Sequence, residues 1–197
     1  MEIQRLQQQM GFLLEIDQLK NILRQTHVTD SSRRENDAEH SWHLAVMAIV
    51  LEEYANEKNI NILHVVKMLL IHDLVEIDAG DTFAYDEKGY EDKEEREEEA
   101  AERIFSILPE DQADMIYALW REFEDRETAE ARFAAALDRL HPMLLNHQTK
   151  GITWQKHDIR KEQVLSRNKT IAEGSEDLWE YAQAVIEDAV ENGYLKA

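Results

Sequence analysis

ILHVVKMLLIHDLVEIDAGD, residues 62–81, opens as a nearly continuous apolar run and closes on a histidine and a series of carboxylates. With Asn61 placed to cap it, the run predicts a helix through residue 77 at the centre of the domain. Ionisable groups at the end of such a helix are costly to bury unpaired. Adjacent imidazole and carboxylate ligands, His72 and Asp73, followed by Glu76 and Asp81, are what a protein needs to hold a divalent cation and ready a water for attack. A metal-dependent hydrolase is therefore expected.

Neighbours on a helix diverge by about 100°, so His72 and Asp73 meet one ion only with help from other segments. Glu76 lies four residues after His72 and three after Asp73, on the adjoining helical surface. Working toward the N-terminus, Ile3, Leu6, Met10, Leu13, Leu14, Leu19, Ile22 and Leu23 form an apolar stripe that predicts one long helix, or two in succession, ending near Thr26. A polar connection, residues 27–39, leads to a second helix with Asp37 as N-cap and Leu44, Val46, Met47, Val50 and Leu51 toward the core.

Toward the C-terminus, residues 79–92 read as a loop that starts at the site and can act as a lid, and residues 91–108 return to helix with a charged outer face. Pro109 starts a fifth helix and Thr128 caps a sixth, in which Pro142 should kink or break the winding. After the Gly151 turn, Asp158 begins another helix, and Ser175 caps the last, ended by Gly193.

Composition agrees with helices. The 197 residues are 43% hydrophobic and 32% charged, with 6 Gly and 2 Pro, enough for one well-filled core and poor in strand punctuation. A single all-α domain over residues 1–197 is expected, its metal-site core over about 24–140 and its C-terminal helices, 158–193, packed on it. The absence of cysteine excludes disulfides and a zinc–thiolate site. The start, MEIQRLQQQM, lacks the pattern of a secretion signal, and no run approaches the roughly 20 apolar residues of a bilayer span, so a cytoplasmic location is expected. A formal net charge of -20 repels nucleic-acid polymers and anionic membranes, so neither is expected as a partner. A small phosphorylated substrate remains compatible, because a bound cation and one or two arginines can handle its charge locally.

Two further segments offer ligands: His40, in the first turn of the second helix, and Asp138, in the apolar stretch of the sixth. The ordered set His40, His72-Asp73 and Asp138 resembles the H…HD…D signature of the HD-domain phosphohydrolases, and HDLVEIDAGD is similar to the subgroup that includes the 5′-deoxynucleotidases. The similarity runs from LKNILR (19–24) through EHSWHLAVMA (39–48) to ALDRL (136–140). The resemblance implies an HD-type helical bundle around one divalent ion (Mn, Co, Fe, Ni, Zn or Mg) held by His40, His72, Asp73 and Asp138. It also implies Glu76 near the attacking water, Asp81 orienting water or protonating the leaving group, Arg24 on the substrate phosphate, and a homodimer. The implied reaction is cleavage of nucleoside 5′-monophosphates, deoxyribonucleotides first, to nucleoside and phosphate. Some relatives carry an aromatic residue directly after that arginine, whereas this chain has Gln25, which leaves the choice between deoxyribose and ribose open.

Two other readings stand beside it. Relatives with the same metal frame cleave nucleoside triphosphates or alarmones, and a helical bundle of this kind can also serve as a non-catalytic nucleotide-binding scaffold. Individual residues carry alternatives too. His43 either touches phosphate or is an ordinary half-buried histidine; Arg33 and Arg34 either recognise phosphate or are solvated; Asp138 could instead pair with Arg139. His157-Asp158, without an apolar run around it, reads as a helix cap. The acidic residues 91–99 read as a solvated face, and the tryptophans as packing anchors, with Trp42 close enough in sequence to His40 to line the site.

Overall fold

The computed structural model describes residues 2–86 and 88–197. Helix α1, Glu2–Glu15, passes into a 3-10 turn, Ile16–Asn21. The expected continuation of helix to Thr26 does not form: Ile22 is extended, and β1 (Leu23–His27) pairs antiparallel with β2 (Arg34–Asn36). The Arg34 guanidinium clasps this hairpin by donating to the backbone carbonyls of Leu23 and Arg24. Apart from this small sheet the fold is helical, as expected.

Helix α2, Asp37–Leu51, is capped by Asn36, not by Asp37. The Asn36 side chain accepts the Glu39 N–H at 2.9 Å and Glu39 accepts the Asn36 N–H at 3.3 Å, a reciprocal pair that satisfies two end donors. Asp37 is thereby drawn inside the first turn and fully buried. Leu44 and Met47 face the core, but Val46 and Val50, expected there, are 41% and 65% exposed, on one side with Trp42 and Ile49. The helix is apolar almost all round, so periodicity could not tell its inner face from its outer one.

Helix α3, Ile62–Ile71, is capped by Asn61, which accepts the His64 N–H. The single helix expected through residue 77 changes winding at His72: a 3-10 turn, His72–Val75, precedes the short α4, Glu76–Ala79, which stops at Gly80 with φ 76°. The tighter winding turns Leu74 and Val75 away from the stripe of Val65, Met68 and Leu69. The two sets lie in different apolar clusters, one with Leu137, Leu140 and Trp154, the other with Phe105 and Trp120. His72 and Asp73 occupy the seam between them.

The remaining helices are α5 (Lys93–Phe105), α6 (Glu110–Asp125), α7 (Ala129–Gln148), α8 (Ile152–Lys156), α9 (Lys161–Asn168), α10 (Ile171–Gly174) and α11 (Glu176–Glu191). Thr128 and Ser175 cap α7 and α11 as expected, accepting the N–H groups of Ala131 and Leu178 at 3.1 Å. The expected break at Pro142 does not occur. α7 continues to Gln148, since proline removes from the ladder only its own N–H, the donor to the carbonyl four residues earlier. Asp158 does not cap α9 either: it sits at φ 55° and pairs with Lys196, while Arg160 precedes the helix. No helix among the described residues is long and apolar enough to cross a membrane.

Candidate metal centre

The hairpin, the first turn of α2, the 3-10 turn after α3 and the middle of α7 deliver one group or more each to the seam. His40 Nε2 lies 2.9 Å from Asp138 Oδ1, and His72 Nε2 lies 3.1 Å from Asp73 Oδ1. The longer separations are 3.8 Å, His72 Nε2 to Asp138 Oδ1, and 4.0 Å, His40 Nε2 to Asp73 Oδ2. Metal–ligand bonds of about 2.1 Å put adjacent donors of an octahedral shell about 3.0 Å apart and opposite donors about 4.2 Å apart. The four residues expected to ligate are thus brought together at spacings that fit one ion.

Proton placement gives the same fit. The Leu69 carbonyl can only accept, so His72 Nδ1–H donates to it at 2.9 Å and Nε2, buried and without a hydrogen-bond partner, is the ring nitrogen left to face the seam. His40 Nδ1 lies 3.0 Å from His141 Nδ1. With a cation on His40 Nε2, the His40 proton sits on Nδ1 and is donated to His141. His141 then carries its own proton on Nε2, 3.8 Å from Glu35 Oε1.

Negative charge is in excess. Asp37, Asp73 and Glu76 each offer an oxygen within 4.8 Å of the others, and Arg24 Nη1 bridges Asp73 at 2.9 Å and Asp37 at 3.2 Å. Burial, reinforced by Asp73 and Asp37, pushes the Glu76 carboxyl well above the usual carboxylate range, and burial with Asp73 pushes Asp37 up to about 7. Asp81 is raised by burial against the pull of Arg24. Burial and Arg24 together lower His40 to about 4, so its imidazole is neutral and able to ligate. For His72 burial also disfavours the cation, but Asp73 and Asp138 outweigh it and push the ring up to about 9. Asp138, despite burial, is held well below the usual range by the His40 and His72 rings. One arginine does not offset these carboxylates; a divalent cation would, and would take the place of the proton on His72.

The groups line a cavity of about 500 Å³, with Arg24, His72, Asp73, Glu76, Asp81 and Asp138 in its wall. The loop after Gly80 contributes Phe83, Tyr85 and Tyr90 to the same wall. Gln25 lines it as well.

Several residues take the bland alternative. Arg33 is paired with Glu39 at 2.7 Å, and Arg34 is spent on the hairpin. Trp42 is 63% exposed and outside the cavity wall. His43 stacks on His141, ring centroids 4.2 Å apart, and His157 packs on Phe83 at 4.3 Å. Asp138 turns to His40 instead of Arg139. The acidic segment is not wholly solvated, for Glu97 is buried and held by Lys93 at 2.5 Å.

Asp37, Glu35 and His141 were not expected at the site. Two of them had a legible signal: Asp37 precedes His40 by one helical turn and His141 follows Asp138 by one, so each shares a face with a ligand. Glu35, on β2, had none.

The human and bovine proteins called 5′-deoxynucleotidase HDDC2 are 36% and 34% identical to this chain over 134 residues, 68% of its length. The match spans 64% and 63% of those relatives, so this chain aligns with less than two thirds of their length. The crystal structure of a predicted metal-dependent phosphohydrolase from Magnetospirillum magnetotacticum MS-1 superimposes with a TM-score of 0.94 at 57% identity, covering 98% of this chain and 96% of that one. The HD domain family profile matches residues 16–179, a span that contains the hairpin arginine, both histidines and both aspartates of the seam, and the chain belongs to that family.

Proposed function

We propose that this protein is a metal-dependent phosphohydrolase that cleaves nucleoside 5′-monophosphates, deoxyribonucleotides first, to nucleoside and phosphate. The carrying observation is the meeting of His40, His72, Asp73 and Asp138 at the spacings of one ion's shell beside a cavity of about 500 Å³. The relatives named 5′-deoxynucleotidase support the substrate class. A divalent ion held there would polarise a phosphate oxygen and acidify water, and the mixed nitrogen–oxygen donors suit a transition metal or Mg.

The chain's own groups supply the rest. Glu76 Oε2 is buried without a partner, and its raised affinity for a proton suits a base that takes one from the attacking water. Asp81, also shifted toward the acid form and in the same cavity wall, would return a proton to the leaving 5′ oxygen. Arg24 uses Nη1 on Asp73 and Asp37, which fixes the guanidinium plane and leaves its other N–H groups for the phosphate. We read residues 1–197 as one domain acting in the cytoplasm as a homodimer. The exposed apolar side of α2, with Trp42, Val46, Ile49 and Val50, supports the dimer.

The test is orthophosphate release over a panel of nucleoside monophosphates after chelation and reloading with single metals. His72→Ala and Asp73→Ala should lose both metal and activity, and Glu76→Gln should keep metal and lose turnover. Full activity in either ligand variant, or no phosphate from any monophosphate with any metal, rejects the assignment.

A further inference from the structure

The cavity that holds the carboxylates is also lined by Arg126, Arg139 and Arg167. In a chain with 42 acidic residues against 22 basic ones, an arginine ordinarily has a carboxylate at hand. Arg121 nearby has two, Glu98 and Asp125. Among the described residues none of these three arginines is in an ion pair, and the Nε atoms of Arg126 and Arg139 are buried with no hydrogen-bond partner. Arg167 meets only the Tyr90 hydroxyl, at 3.0 Å, and lies over that ring.

All three guanidiniums border the one cavity of about 500 Å³. Guanidiniums in a concave wall that make no ion pair among the described residues match a dianion, which accepts paired N–H donors. Arg139 directly follows Asp138 on α7, so the arginines and the proposed ligands share one pocket while diverging around the helix. Arg24 already serves the carboxylate cluster; these three pair with no carboxylate among the described residues.

We propose that Arg126, Arg139 and Arg167 form a second anion subsite, which takes a phosphate carried by the substrate apart from the one that is cleaved. The favoured ligand class is then a nucleoside 5′-phosphate with a further phosphate on its sugar. This rests on the reading above for where the reacting phosphate lies.

The test is calorimetric binding of deoxyadenosine 5′-monophosphate and deoxyadenosine 3′,5′-bisphosphate to chelator-treated protein, for wild type, Arg139→Gln and the Arg126→Gln/Arg167→Gln pair. Wild type should bind the bisphosphate about tenfold or more tightly than the monophosphate, as one charge-assisted contact to phosphate implies. The ratio should fall toward one in both variants, and Arg139→Lys should keep part of it. Equal affinities in wild type, a ratio that survives substitution, or parallel weakening of both ligands overturns the subsite. Circular dichroism identifies any variant that fails to fold, in which case Arg139→Lys and the wild-type ratio decide. Absence of phosphate release from monophosphates would reject the hydrolase reading alone, because the binding ratio needs no turnover.

Discussion

Glu35 and His141 lie behind His40 with opposite displacements of their proton equilibria. Burial raises Glu35 from 4.5 to about 7, and burial, with His40 and His43 alongside, lowers His141 from 6.5 to about 2. A raised carboxyl adds stability below pH 4.5 that is lost as pH climbs to 7, while a lowered imidazole adds stability above pH 6.5 that is lost as pH falls. Between pH 4.5 and 6.5 the two pH slopes cancel. In metal-free protein, urea unfolding across that window should show the slope of stability against pH rising by about 1.4 kcal/mol per unit in Glu35→Gln and falling by about as much in His141→Gln. Slopes unchanged in both would show that neither proton is displaced. At His72 the proton held up to about 9 must leave before Nε2 can ligate, and the Glu76 and Asp37 carboxyls are shifted toward the acid form beside it, so metal uptake near pH 7 should release at least one proton. Calorimetry in buffers of different ionisation enthalpy measures it, and affinity should rise with pH up to about 9.

Among the elements, α7 carries the fold's centre and one proposed ligand, and its neighbours come very close. A Cβ on Gly174, the last residue of α10, would sit 2.3 Å from the Arg132 carbonyl oxygen of α7, whereas one on Gly193 would meet nothing within 4 Å despite φ 73°. Gly174→Ala should therefore cost about 3 kcal/mol by pushing the two helices apart, and Gly193→Ala only about 1 kcal/mol of backbone strain. Chemical denaturation compares them, and equal costs would mean the helices part freely. Elements were legible where local chemistry decides them: Asn61, Thr128 and Ser175 cap as read, and Gly193 closes α11. The hairpin was missed because Leu19, Ile22 and Leu23 continue the helical stripe of α1, and what makes strands of residues 23–36 is the clasp of Arg34 on carbonyls ten and eleven positions away.

For the whole molecule, the metal seam joins two apolar clusters, so an ion bound there braces one against the other. Ligand at a hundredfold excess over its Kd stabilises by about 2.7 kcal/mol, which in a chain of this size moves Tm by about 5–10 °C. Thermal scans with Mn or Co should show that rise in wild type and none in His72→Ala. A rise that persists in the variant would place the stabilising ion elsewhere.

Residues 62–81 alone determined that this chain is helical with an ionisable patch closing a buried helix, because apolar burial and the cost of unpaired charge act on neighbours in the chain. The order His40, His72-Asp73, Asp138 pointed to a shared ion. Only the tertiary structure decided that Asp37 is a site carboxylate instead of a cap, that Glu35 and His141 stand behind His40, and that three arginines without an ion pair among the described residues line the same cavity. Those facts depend on which helices pack together: the spacing of Asp37 from His40 and of His141 from Asp138 marks a shared helix face, but not which faces meet across the fold, and Glu35 carries no such mark.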